Sequence, residues 1–284
     1  MTLQTKQDKL NQTIQALGSV VVAFSSGVDS TFLLKTAHNL LKHRVLAVTV
    51  RSRLIPNREL DEACQFVRNE GIEHVFVDVD ELAIAGFAQN PANRCYLCKT
   101  ELFSRIRRVA DERGISHVIE GSNADDADDY RPGMQAIAEL GILSPLRDAG
   151  LTKQDIRQLS REGDLLTWNK PSYACLASRF PYGEEITKER LAMIDAAEQF
   201  LWDAGLRQVR VRFHGTLARI ETDEEGFQCL LSPNLREAID RRFKELGFIY
   251  VAADLKGYRT GSMNETFEHF YHCTGTALSI KPSP

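Results

Sequence analysis

The sequence predicts an α/β fold: a parallel sheet with helices on both faces, followed by a smaller α+β domain. Short β-branched runs alternate with helical patterns through the first 144 residues. The runs are continuously apolar, as strands covered on both faces are. After Lys170-Pro171 the rhythm changes, and a helix, two extended segments, another helix and a strand follow. These changes put the boundary within residues 169–182 and divide the chain into domains 1–172 and 173–284.

Taken in order, the spacing of Leu3, Leu10, Ile14 and Leu17 predicts an amphipathic first helix. Strands are expected at 19–24, 45–50, 74–79 and 117–120, with a weaker fifth at 141–144. Helices are expected at 29–42, 57–70, 98–113, 133–140 and 152–162, each a short right-handed crossover or its continuation. In the second domain the pattern gives helix 187–204, strands 208–213 and 218–221, helix 234–246 and strand 248–253.

At 284 residues with 43% apolar and 26% charged composition, the chain is of the globular class. A net charge of −4 supplies no general attraction for a phosphate backbone, which disfavours nucleic acid as a partner. The N-terminal stretch lacks an apolar export core, and no run approaches bilayer-spanning length. A cytoplasmic protein with no membrane role is expected, and its six cysteines read as reduced thiols.

The first strand runs into Ser25-Ser26-Gly27-Val28-Asp29-Ser30 and then directly into a helix. Small residues let backbone N–H groups close on phosphate oxygens, and a helix N-terminus adds partial positive charge. No lysine follows as in the G-x-x-x-x-G-K-[ST] loop, and the G-x-G-x-x-G spacing is absent. The bland alternative is a Ser/Asp helix cap. A second loop, Gly121-Ser122-Asn123-Ala124-Asp125-Asp126, follows the fourth strand, and loops at the carboxyl ends of parallel strands share one edge. Asp125, Asp126, Asp128 and Asp129 suit magnesium or ribose contacts, or form a solvated acidic loop.

Cys95 and Cys98 form a C-x-x-C pair at a helix start, and Cys175 lies at the domain junction. Three thiols make an incomplete tetrahedral set; structural zinc wants a fourth ligand, and no histidine has finger-like spacing. An iron–sulfur cluster, a Cys95/Cys98 disulfide and simple packing remain open on spacing alone. Cys64, Cys229 and Cys273 read as core thiols, and His214 as a hydrogen-bonded strand end. Arg210-Val211-Arg212 sets two guanidiniums on one face of an alternating strand, suited to a phosphate monoester or simply to water.

The loop at residues 25–30 resembles the PP-loop, Ser-Gly-Gly-x-Asp-Ser, of N-type ATP pyrophosphatases, with Ser26 in place of the first glycine. That resemblance implies an adenine nucleotide alpha hydrolase-like domain that cleaves ATP between the α- and β-phosphates, with Asp29 near Mg²⁺. Residues 171–183 around Cys175, Tyr130-Arg131-Pro132-Gly133 and Gly257-Tyr258-Arg259-Thr260-Gly261-Ser262-Met263-Asn264 extend the likeness over nearly the whole chain. There the sequence is similar to the LarE family of ATP-dependent sulfur transferases, which make the pyridinium bisthiocarboxylate mononucleotide precursor of the nickel-pincer cofactor of lactate racemase.

The resemblance implies nucleotide contacts by Ser25, Ser26, Gly27, Val28, Asp29, Ser30, Val50, Gly121, Asn123, Asp125 and Arg131. It also implies a mononucleotide pocket of Ser178, Arg179, Glu198, Arg210, Arg212 and Glu221, and a homohexamer. In the sacrificial branch the cysteine matching Cys175 gives up its sulfur and becomes dehydroalanine. The company of Cys95 and Cys98 makes this chain similar instead to the branch in which three cysteines hold a 4Fe-4S cluster that receives sulfide or sulfur from another donor. Rival readings are a tRNA thiolase with the same loop, a nucleotide-binding sensor without catalysis, and an amidating synthetase.

Overall fold

A computed structural model describes residues 1–126, 132–171 and 174–263. The chain divides into two compact units, one of Met1–Ala88 with Ala92–Cys175, the other of Gln89–Pro91 with the chain from Leu176.

In the first unit, helix α1 (Leu3–Leu17) precedes β1 (Val20–Ala23), α2 (Val28–Leu41), β2 (Val45–Arg51), α3 (Asn57–Glu70) and β3 (Glu73–Asp78). Helix α4 (Arg94–Glu112), β4 (Val118–Ile119), α5 (Pro132–Glu139), the short α6 (Pro145–Asp148) and α7 (Lys153–Glu162) complete it. The strands form a parallel sheet in the order β3-β2-β1-β4. The weak fifth strand is reduced to one parallel bridge between Ile119 and Leu143.

Both faces of this sheet are covered, as the unbroken apolar runs require. Val20 and Val22 point into a cluster with Leu33, Leu34 and Ile156, whereas Val21 points oppositely toward Phe103, Ile106 and Ile137. Leu10 and Ile14 of α1 are fully buried in the first cluster. Helix α3 spans the expected residues. Helix α4 begins four residues before its expected start, because its first turn, Arg94-Cys95-Tyr96-Leu97, has no apolar period to announce it. Both thiols of the C-x-x-C pair thus lie in the helix.

The second unit holds α8 (Lys188–Asp203), β5 (Val209–His214), β6 (Leu217–Thr222), α9 (Glu224–Leu230), α10 (Pro233–Glu245) and β7 (Tyr250–Ala253). Its three strands run in the order β5-β6-β7; β5 and β6 are antiparallel, and β6 and β7 parallel. Helix α9 is not evident from the sequence pattern: it has seven residues and contains Gly226, where a Cβ would lie 2.0 Å from Thr222 Oγ1. Cys229, expected in the core, is exposed on α9, whose buried positions are Gly226 and Leu230. Cys64 is half-buried, and Cys273 lies outside the described residues. Among the described residues no helix is long and apolar enough to cross a membrane.

Candidate active site

The loop between β1 and α2 is braced by its own side chains. Ser30 Oγ lies 3.2 Å from Ser25 Oγ, receives the Ser25 N–H at 3.3 Å and donates to the Gly27 carbonyl at 3.3 Å. Gly27 occupies the N-cap of α2, and no side chain caps that end. An uncapped first turn presents N–H groups without intrahelical acceptors, together with the positive end of the helix dipole. Val28 is buried beneath the loop, and Asp29 is half-buried.

Ser26, where the PP-loop pattern has glycine, adopts φ +54°, a left-handed conformation that disfavours side chains. Its hydroxyl donates to the Glu59 carbonyl at 3.0 Å, and the residue is only 2% exposed. The serine therefore fits the turn at a backbone cost, offset by a buried hydrogen bond.

The second loop presses directly on the first. A Cβ on Gly121 would lie 3.0 Å from the backbone nitrogen of Ser30 and 3.3 Å from the Asp29 carbonyl carbon, so glycine gives this approach room that a side chain would tighten. Glu120 fixes the loop from below, accepting from Ser122 N–H at 3.1 Å, Ser122 Oγ at 2.9 Å and Ser144 Oγ at 2.5 Å. Asn123 is buried; its Oδ1 accepts from Asp125 N–H at 2.9 Å in an Asx-turn, and its Nδ2 reaches Asp29 Oδ1 at 3.5 Å. Asp125 is exposed and accepts the Lys153 N–H at 2.8 Å. Val50 does not join this group through its side chain, which lies in the core cluster on one sheet face. Asp128, Asp129, Tyr130 and Arg131 lie outside the described residues.

Two lysines missed by the sequence reading reach the phosphate loop. Lys153, at the first position of α7, pairs with Asp29 Oδ2. Lys170 Nζ donates to the Ser26 carbonyl at 3.1 Å and pairs with Glu59 Oε2 at 2.7 Å. The loop lacks the lysine that follows a G-x-x-x-x-G-K-[ST] motif, and positive charge is supplied from distant segments. One signal for Lys153 was available: it immediately follows Thr152, which with Asp155 forms a capping box at the helix start.

Cys95 and Cys175 are exposed and Cys98 half-buried. Burial raises the Cys98 thiol well above its ordinary range, reinforced by Cys175, Glu81 and Cys95 nearby. Thus Cys98 lies within electrostatic reach of both Cys95 and Cys175, and the chemistry of the three thiols suits iron or zinc. Among the described residues, however, no three His, Cys, Asp or Glu side chains are arranged as a ready ligand set.

The second unit contains a separate buried charge cluster. Arg179 donates from Nε and Nη2 to the two Glu198 oxygens, each at 2.8 Å, while Arg212 donates from Nε and Nη2 to Glu221 Oε2 at 2.9 and 2.7 Å. Ser178 Oγ accepts from Arg179 at 2.9 Å, and the Ser178 carbonyl accepts from Arg212 at 3.0 Å. Arg210 is 1% exposed and lies 5.1 Å from the Tyr258 ring centroid. Burial, then the charge of Arg179, lowers the Arg210 guanidinium, which stays charged at neutral pH.

The expected alternative of a water-facing strand is thereby corrected: β5 is buried on both faces, with Arg212 paired to Glu221 and the Val211 N–H donating to Glu198. Burial would raise the Glu198 carboxyl, but Arg179, Arg210 and the Val211 N–H outweigh it and hold the carboxyl below its ordinary range. Three buried guanidiniums accompany two buried carboxylates, a surplus of positive charge suited to an anion. The segment from Gly257 closes over the cluster: Gly257 has φ +68°, a Cβ there would lie 2.7 Å from the Thr222 carbonyl oxygen, and Ser262 Oγ donates to Glu221 Oε1 at 2.7 Å. His214 accepts from Arg219 Nε at 3.2 Å, as a strand-end histidine should. Asn264 lies outside the described residues.

The pyridinium-3,5-bisthiocarboxylic acid mononucleotide synthase of Lactiplantibacillus plantarum is 38% identical over 93% of this chain and 96% of its own length. The chain belongs to the LarE family. An uncharacterised protein of Synechocystis sp. is 40% identical over 92% of this chain and 98% of its own, and one of Methanocaldococcus jannaschii is 28% identical over 85% and 91%. Residues 2–113 match the NAD synthase family, which places the phosphate loop in the PP-loop class. This LarE-family chain is therefore an ATP-dependent sulfurtransferase, and its class uses ATP and Mg²⁺.

Proposed function

We propose that the chain adenylates a carboxylate of a pyridinium dicarboxylate mononucleotide, releases pyrophosphate, and replaces oxygen with sulfur to give the thiocarboxylate precursor of the nickel-pincer cofactor. The observation that carries this reading is the Gly121 loop pressed against the phosphate loop, in a chain similar along its length to the L. plantarum synthase.

The first-turn N–H groups of α2, with Ser25 and Ser30, hold the outer phosphates. Lys153 turns from Asp29 to the phosphate oxygens, while Asn123 and Asp125 orient the rest of the nucleotide. Asp29 would hold Mg²⁺ through a hard carboxylate oxygen, and the bound ion supplies neutralisation of phosphate charge. A substrate carboxylate oxygen bonds to the α-phosphorus as its bond to the pyrophosphate oxygen breaks. Oxide is too poor a leaving group for direct displacement; AMP leaves readily, so sulfur can bond to the carbonyl carbon and expel it. Preorganised loop amides stabilise the charge developing on phosphorus oxygens. Arg210 and Arg212, with Ser178, Arg179, Glu198 and Glu221, bind the phosphate of the mononucleotide.

Cys95, Cys98 and Cys175 would hold a 4Fe-4S cluster; three protein thiolates leave one iron for an exogenous sulfide. The family resemblance and the nearness of Cys98 to both Cys95 and Cys175 support this assignment. Turnover of ATP labelled in its α-phosphate should yield labelled AMP and unlabelled pyrophosphate; ADP and orthophosphate would overturn the scheme. Iron and acid-labile sulfide in anaerobically prepared protein, with Cys175 intact after turnover, support the cluster. Iron-free protein whose Cys175 becomes dehydroalanine supports sacrifice instead. A cytoplasmic homohexamer is the expected form, and light scattering tests the assembly.

A further inference from the structure

Lys170 has no part in the scheme above, yet its ammonium holds one peptide of the phosphate loop. Its side chain is 10% exposed, and Nζ donates to the Ser26 carbonyl at 3.1 Å and stands 3.3 Å from Ser26 Oγ. It also pairs with Glu59 Oε2 at 2.7 Å and Glu62 Oε2 at 2.5 Å. An ammonium has three N–H donors, and the Ser26 carbonyl and these two carboxylates match them. The lysine main chain is fixed as well: Arg157 donates from Nη1 to the Trp168 carbonyl at 2.6 Å and from Nη2 to the Lys170 carbonyl at 2.9 Å.

A direct phosphate contact would require this ammonium to leave Glu59. That residue is 6% exposed, and its other carboxylate oxygen, Oε1, has no hydrogen-bond partner among the described residues, so departure of the lysine would strand a buried negative charge. Glu59 also holds Ser26 a second way, its carbonyl accepting from Ser26 Oγ at 3.0 Å. Both oxygens of the left-handed residue are therefore tied down. The carbonyl and the following N–H of a trans peptide point in opposite directions, so fixing the Ser26 carbonyl on Lys170 turns the Gly27 N–H away from it. Among the described residues no hydrogen bond engages that N–H, and a Cβ on Gly27 would meet only Ser25 Oγ, at 3.6 Å, so the loop is open beside it. A cation on the carbonyl also polarises the peptide and strengthens its N–H as a donor.

We propose that Lys170 is a positioning residue of the phosphate loop: by holding the Ser26 carbonyl it aims the Gly27 N–H at the outer phosphates of the nucleotide, without touching them itself. The inference rests on the reading that residues 25–30 bind the pyrophosphate end of ATP.

The test is calorimetric titration of the full chain with inorganic pyrophosphate and, separately, with AMP, both in Mg²⁺. Lys170→Met should weaken pyrophosphate binding about tenfold, the effect of losing one well-aimed hydrogen bond to a charged acceptor, and leave AMP within about twofold. Lys170→Arg, which keeps a cationic donor for the Ser26 carbonyl, should restore pyrophosphate binding to within about threefold of native. Unchanged pyrophosphate affinity in Lys170→Met overturns the proposal. An equal loss of pyrophosphate and AMP also overturns it, because damage to the fold would lower both. Absence of pyrophosphate binding by the native protein overturns the nucleotide reading beneath it instead. If Lys170→Met loses cooperative unfolding through the stranded Glu59, the double variant Glu59→Met/Lys170→Met removes both charges and replaces it. The double variant should show the same selective loss of pyrophosphate, and native affinity there overturns the proposal.

Discussion

Replacing Ser26 by glycine and by alanine separates two opposing effects at one residue of the phosphate loop. At φ +54° a side chain costs about 1–2 kcal/mol relative to glycine. The hydroxyl returns about 1 kcal/mol through its 3.0 Å bond to the Glu59 carbonyl. Ser26→Ala keeps the backbone cost and loses the bond, so it should destabilise the first unit by about 1 kcal/mol. Ser26→Gly loses the same bond and about 0.5–1 kcal/mol to chain entropy, but relieves the strain, leaving it within about 1 kcal/mol of native. Glycine should therefore exceed alanine by roughly 1 kcal/mol, a difference of about 0.3–1 M in urea midpoint. Urea unfolding followed by circular dichroism measures it. Alanine equal to or more stable than glycine would refute the argument that the left-handed turn is strained.

Lys153→Met should reduce ATP-dependent pyrophosphate release by about 10²–10³-fold, the range for loss of one preorganised electrostatic contact; a loss below tenfold would remove Lys153 from the chemistry. Gly121→Ala should raise the KM for ATP by about tenfold, equivalent to about 1.4 kcal/mol, because the added methyl displaces Ser30 of the phosphate loop by a few tenths of an ångström. An unchanged KM would show that the loops need not touch. Glu198→Gln should cost the second unit about 3–5 kcal/mol by leaving Arg179 buried without its counter-ion, readable by urea unfolding at neutral pH. Since the folded Glu198 carboxyl lies below its ordinary range, its contribution is full above the unfolded value, about pH 4, and is lost as pH falls through the folded value. The native stability curve should therefore fall on the acid side, and the Gln variant should lose that part of the slope.

The strands were legible because burial on both faces writes a continuous apolar run, as in Val20-Val21-Val22-Ala23. The small-residue loops after β1 and β4 were legible for a similarly local reason. Lys153 and Lys170 were not, because their partners Asp29 and Ser26 stand 124 and 144 residues away in sequence, beyond any periodicity. The arginines of β5 show the same limit. Alternation put Arg210 and Arg212 on one face, but whether that face meets water or carboxylates depends on Glu198 in α8 and Glu221 in β6. The exposed Cys229 failed for want of a helix to orient it: α9 is too short to display a full apolar period.

The two ammonium groups beside the phosphate loop also bear on how the protein can be divided. The portion shared with NAD synthases, residues 2–113, contains strand, loop and helix but neither lysine. Cut away from the rest, it would present Asp29, Glu59 and Glu62 to an incoming triphosphate with like charges facing one another. Any transplant or minimal fragment meant to retain nucleotide affinity must carry the chain through Lys170.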